Sequence, residues 1–150
     1  MAEVEAAPLV DANLLIWAHH VQFPQHERAL DWWKTTLSAL VQVGVPWASI
    51  MAFLRISTHP RALERPIGIG QAWAVVSGWL ERPNVWAPVP TDRHASILGS
   101  LLVDGKAGGN HTTDAHLAAL AIEWGLELVS GDRGFARFGG LRWRDPLSDS

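Results

Sequence analysis

Thr113-Asp-Ala-His-Leu-Ala-Ala-Leu-Ala-Ile-Glu-Trp-Gly125-Leu-Glu-Leu-Val-Ser130-Gly-Asp132 reads as a helix, a stop, a strand and a turn. Leu117, Leu120, Ala121 and Trp124 recur at helical spacing, and Gly125 is a good residue to end the helix. Leu126 to Val129 is the strand. Asp114 therefore opens a helix and Asp132 lies just past a strand. A third acid, Asp11, closes the apolar run Pro8-Leu9-Val10 before Ala12-Asn13. In a parallel α/β sheet the carboxyl ends of the strands share one edge, so these three acids are expected to meet there.

The rest of the chain alternates in the same way. Leu9-Val10 is expected as a first buried strand, followed by a turn of helix from Asn13 to His20. Leu30, Trp33, Leu37, Leu40 and Val41 predict a helix from His26 to Val41. Val43 to Trp47 reads as a second strand, Ala48 to Ser57 as a helix, and His59 to Gly70 as a loop rich in Arg, Pro and Gly. Trp73, Val76 and Leu80 mark another helix, stopped before Pro83. Val85-Trp86 is a short strand, His94 to Val103 a helix, Asp104 to Gly109 a flexible link, and Leu141 to Trp143 a last short strand. Strand and helix alternate without hairpin signals, which predicts a mainly parallel sheet with helices on both faces.

At 150 residues the chain is expected to form a single domain over 1–150, with 1–7 a loose tail. With 48% hydrophobic and 18% charged residues it is globular in composition. Nine Trp and no Tyr point to a Trp-rich core, with some indoles left for a partner surface. The absence of Cys excludes disulfides and thiolate metal sites. No signal-peptide pattern opens the chain, and no apolar run approaches the ~20 residues that span a bilayer, so a cytoplasmic protein with no membrane partner is expected. The formal charge of −3 argues against a general basic coat, yet Arg far outnumbers Lys, and Arg suits phosphate by its planar fork.

Taken singly, each aspartate has an ordinary explanation. Asp114 suits the positive end of a helix dipole, Asp132 a Ser-Gly-Asp-Arg-Gly turn, and Asp11 the start of a turn. Their shared edge changes that. Two carboxylates ~4 Å apart repel by roughly 4 kcal/mol at an effective dielectric of 20. A hard divalent cation, Mg²⁺ or Mn²⁺, is the expected relief, and such an ion points to phosphodiester hydrolysis.

The segment Thr113 to Gly125, followed by Leu-Val-Ser-Gly-Asp132-Arg-Gly-Phe135, resembles the C-terminal signature of PIN-domain ribonucleases. Leu-Val-Asp11-Ala-Asn13-Leu-Leu is similar to that family's first acidic motif. Phe53-Leu-Arg-Ile-Ser-Thr-His-Pro-Arg61 and Leu141-Arg-Trp-Arg-Asp-Pro146 resemble the VapC toxins of bacterial type II toxin–antitoxin pairs. The resemblance implies a three-layer α/β/α fold with a short sheet of four or five strands. It further implies an Mg²⁺-dependent endoribonuclease (Mn²⁺ as the alternative ion) that leaves a 5′-phosphate and a 3′-hydroxyl. RNA would be the substrate, a VapB-type antitoxin would lie across the cleft, and the chain would form a homodimer. Asp11, Asp114 and Asp132 would hold the metal, Asn13 would orient Asp11, and a hydroxyl at Thr113 would touch metal-bound water. Two positions depart from the pattern. The Glu that relatives usually carry before Phe-Leu-Arg is Ala52 here, and the acid often found two residues after the last carboxylate is Gly134. These departures motivate the alternative of a degenerate PIN-like domain that binds RNA or antitoxin without cutting.

Three further features are read as structural. His111 and His116 do not match the i, i+4 spacing of a zinc pair, so both are expected as ordinary surface or loop histidines. The glycines around Lys106 lack the order of a phosphate loop. Thr112 or Thr113 is expected to cap the helix. No motif identifies which RNA is the target.

Overall fold

A computed structural model describes residues 6–148 of the chain. Five strands form one sheet: β1 Pro8–Val10, β2 Val43–Gly44, β3 Val85–Trp86, β4 Glu127–Val129 and β5 Trp143–Arg144. They lie in the order β3-β2-β1-β4-β5, and every pairing is parallel. Six helices connect and flank them: α1 Ala12–His19, α2 His26–Ser38, α3 Trp47–Ser57, α4 Ile69–Leu80, α5 His94–Asp104 and α6 Thr112–Trp124. Residues 1–5 of the expected tail lie outside the described residues. Ala7, at its end, joins the sheet by accepting a hydrogen bond from Glu127 N at 2.9 Å.

Side chains alternate across a strand, and the short strands sort their residues accordingly. Val10, Val43, Val45, Val85 and Val129 face one cluster that also holds buried residues of α1 to α4. Leu9 and Leu128 face the other, with Leu101 of α5, the inner face of α6, and Phe135 and Phe138. The architecture is thus helices, sheet, helices. α1 packs on both α2 and α3, and α5 packs on α6.

Several expected boundaries move for identifiable reasons. Trp47, expected in the second strand, begins α3, because Pro46 is extended at the N-cap and the helix starts directly after it. Residues 39–41, expected at the end of a helix, lie outside it: α2 stops at Ser38, where Ala39 turns extended and its N–H closes the last turn onto Thr35 and Thr36. Neither Thr112 nor Thr113 caps α6. A 3₁₀ turn, Gly109–His111, leads straight into that helix with His111 at the N-cap, and Thr112 Oγ1 donates to Gly109 O at 3.1 Å. Gly125 does end α6 in the left-handed conformation, φ 65°. The Trp-rich core is reduced to Trp33 and Trp79, both buried. Trp47, Trp73 and Trp124 are exposed and the remaining indoles half-buried.

Candidate active site

β1 and β4 are paired in register, Val10 opposite Val129, and Asp11 N donates to Val129 O at 3.0 Å. This puts the first residues beyond both strands side by side. Asp11 serves as N-cap of α1: its Oδ1 accepts from Ala12 N at 2.8 Å. Its Oδ2 accepts from the buried Ser130 hydroxyl at 2.7 Å. That hydroxyl in turn accepts from Asn13 Nδ2 at 3.1 Å and from Asp132 N at 3.0 Å. One donor and two acceptors exhaust what a hydroxyl offers. Asn13 Oδ1 takes the N–H of Gly131 at 3.3 Å. Asn13 therefore reaches Asp11 only through Ser130, a residue that sequence reading treated as part of a turn. Its signal was a polar side chain at the end of a buried strand.

Gly131 is required by this arrangement. A Cβ there would stand 2.6 Å from both Cη2 and Cζ3 of Trp17, whose indole covers the turn. Asp132 caps the 3₁₀ turn Arg133–Arg137, accepting from Gly134 N at 2.8 Å, and is exposed. Asp114 sits in the first turn of α6, half-buried, with His111 Nδ1 at 3.5 Å from its Oδ2. Arg137 donates from Nε to Gly134 O at 3.1 Å, and its Nη2 lies 3.4 Å from His111 Nε2. Thr113 is exposed and makes no hydrogen bond to the acids. Ser49, in the first turn of α3, donates to Val10 O at 2.7 Å and fixes that helix beside the site. Ala52 is half-buried in the apolar cluster, and α3 carries no acid.

The three aspartates feel one another. Burial pushes the Asp11 carboxyl above its ordinary range, and the charges of Asp114 and Asp132 push it further, against the hydrogen bonds from Ser130 and Ala12. Burial likewise raises Asp114, with Asp132 adding to it and His111 and Arg137 opposing. No Lys or Arg forms an ion pair with any of the three among the described residues. Nor do three or more His, Asp or Glu side chains stand close enough there to hold a metal ion unaided. An oxygen-only donor set with two raised acids suits a hard cation held through one or two carboxylates, with water filling the other positions. That is the binding style of Mg²⁺.

The PIN-domain family model matches residues 9–141. Ribonuclease VapC33 of Mycobacterium tuberculosis is 40% identical over 139 residues, 93% of this chain and 97% of the relative. Ribonuclease VapC37 of the same organism is 39% identical over 92% of this chain and 96% of its own length. Among solved structures, VapBC-1 from nontypeable Haemophilus influenzae aligns with a TM-score of 0.65 at 17% identity, over 95% of this chain and 99% of the other. DNA-bound VapBC from Salmonella typhimurium aligns at 0.64 and 22% identity, over 94% and 98%. At those identities the structures speak for the fold, and the sequence relatives for kinship. The chain belongs to the PIN-domain family, among its VapC proteins.

Proposed function

We propose that this protein is a divalent-metal-dependent endoribonuclease, the toxin of a toxin–antitoxin pair. The observation that supports it best is the edge that Asp11, Asp114 and Asp132 share, where Asp11 and Asp114 hold their protons more tightly than ordinary carboxyls and no Lys or Arg among the described residues forms an ion pair with any of the three. Asp11 is held in one orientation by Ala12 N and Ser130 Oγ, so little reorganisation accompanies ligand binding. Asp132 is held by Gly134 N and Asp114 by its place in the first helical turn. In this reading Asp11 and Asp114 hold Mg²⁺, with Asp132 completing the site directly or through water. A bound ion would acidify water and offset charge on the phosphate. Ser130 and Asn13 keep the Asp11 carboxylate aimed at the metal. RNA is the substrate, a VapB-type antitoxin the partner, and a homodimer the assembly; the VapB–VapC complexes that share this fold support the partner assignment.

Incubating purified protein with bacterial RNA and Mg²⁺ or Mn²⁺, with Asp11→Asn as control, tests the reading. Discrete metal-dependent cuts lost in the variant are expected. Intact RNA with well-folded, antitoxin-free protein would favour the second reading, a domain that binds without cutting. The absence of an acid anywhere in α3 motivates that alternative. Ala52→Glu tests whether the missing carboxylate belongs at that position, since restoring it there should tighten metal binding.

A further inference from the structure

Arg137 is an exposed guanidinium at the rim of the acidic edge, and it forms no ion pair with a described residue. It is nevertheless held. Nε donates to Gly134 O at 3.1 Å, which ties it to the 3₁₀ turn that follows Asp132. Nη2 lies 3.4 Å from His111 Nε2, and the other ring nitrogen of that histidine lies 3.5 Å from Asp114. An arginine can only donate, so His111 Nε2 accepts and its Nδ1–H points to Asp114. The imidazole thus stands between guanidinium and carboxylate. It stops the cation from collapsing onto the acid, where it would compete with a metal ion. Two of the five guanidinium N–H groups are taken by these contacts, and three remain for a ligand.

We propose that Arg137 grips a phosphate of the RNA beside the acidic edge, and that His111 holds the guanidinium at the distance this needs. Carboxylates, cation, phosphate and guanidinium then alternate in sign across the site. The remaining donors form the planar fork that matches two phosphate oxygens. Arg137 would be a substrate contact and His111 a positioning residue. Only the identity of the ligand rests on the nuclease reading; the braced, unpaired guanidinium does not.

The test separates binding from cutting. In the Asp11→Asn protein, binding of a fluorescein-labelled single-stranded RNA is followed by anisotropy over a range of salt, without divalent ions. Arg137→Ala is expected to weaken binding about tenfold, as for a charge-assisted contact, and to reduce the salt slope by about 0.7, one single-strand phosphate. Arg137→Lys keeps the slope and loses several-fold in affinity, which also guards against misfolding of the alanine variant. His111→Ala keeps the slope as well, with reduced affinity and, in the otherwise native protein, a larger effect on KM than on kcat. Unchanged affinity and slope in Arg137→Ala would overturn the proposal. So would weakened binding of an acidic peptide alone, because the arginine would then hold protein carboxylates. If the native protein cuts nothing while Arg137→Ala still loses one phosphate from the slope, the nuclease reading fails and the phosphate grip stands.

Discussion

Glu123, on α6, has a side chain with no solvent exposure, and its partners allow the cost of removing it to be worked out. Its Oε1 accepts from Thr91 N at 2.8 Å and Thr91 Oγ1 at 2.7 Å, and its Oε2 meets His94 Nδ1. His94 Nε2 then lies 3.0 Å from His116 Nδ1. The chain of donors is consistent: His116 gives a proton to His94, and His94 gives one to Glu123. This network ties the loop before α5, and α5 itself, to α6. Glu123→Ala leaves Thr91 N and His94 Nδ1 without their carboxylate partner, His94 keeping only its contact with His116, a loss of about 3–5 kcal/mol for two stranded, half-buried donors. For a chain of this size that corresponds to a Tm lower by about 6–20 °C. Glu123→Gln is expected to cost only about 1–2 kcal/mol. Its amide oxygen still serves Thr91, and its NH₂ can donate to His94 Nδ1 once both histidines reverse their tautomers. Urea unfolding followed by tryptophan fluorescence measures both. If Ala costs no more than Gln, or less than about 1 kcal/mol, the network does not hold these helices together.

Four other outcomes can be checked. Gly131→Ala forces a Cβ to within 2.6 Å of the Trp17 ring and is expected to cost about 1–3 kcal/mol; in a Trp17→Ala background the same change should cost less than about 0.5 kcal/mol in the same unfolding assay. Ser57→Ala strips the buried His20 Nε2 of its 2.8 Å partner and should destabilise by about 1–3 kcal/mol in thermal melts. His19, His20 and His116 are all held below the usual imidazole value, chiefly by burial. Their unfolded forms take up protons first, so stability is fully present above about pH 6.5 and falls as pH drops toward their folded values; a melting series from pH 7.5 to 5 should decline, and less steeply in His19→Gln. Mg²⁺ or Mn²⁺ should raise Tm in proportion to RT ln(1 + [L]/Kd), an effect abolished in Asp11→Asn and, because Asp11 and Asp114 hold their protons more tightly than ordinary carboxyls, one that fades on acidification before pH reaches the usual carboxylate range.

The sheet was readable because its three inner strands are largely buried and the chain around them carries distinct punctuation. Asp11 marks the end of β1 and Gly125 the end of α6, and both do what local chemistry says they should. Trp47 misled because an aromatic has strand preference, whereas Pro46 decided that the helix begins directly after it. The threonines before Asp114 looked like caps, but the preceding 3₁₀ turn placed His111 at that position. The acids could be found from their places at element ends. Ser130, Arg137 and the role of His111 could not, because each acquires its partners only when distant segments meet. The same holds for Glu123, which lies 32 residues from Thr91 and 29 from His94 in the chain.

The strand order has a consequence for how the protein comes into being on the ribosome. β1, the central strand, must wait for β4 before its second edge is paired, and Asp11 must wait for Ser130, 119 residues later. At about 5–20 residues per second, that interval lasts roughly 6–24 s. The α1 and α2 hairpin can pack early, since its contacts are local. The acidic edge cannot, because it draws on residues from both ends of the described chain. A nascent chain therefore carries Asp11 with its cap bond to Ala12 N but without Ser130 until synthesis has passed Asp132, and a chain released before that point has no such edge.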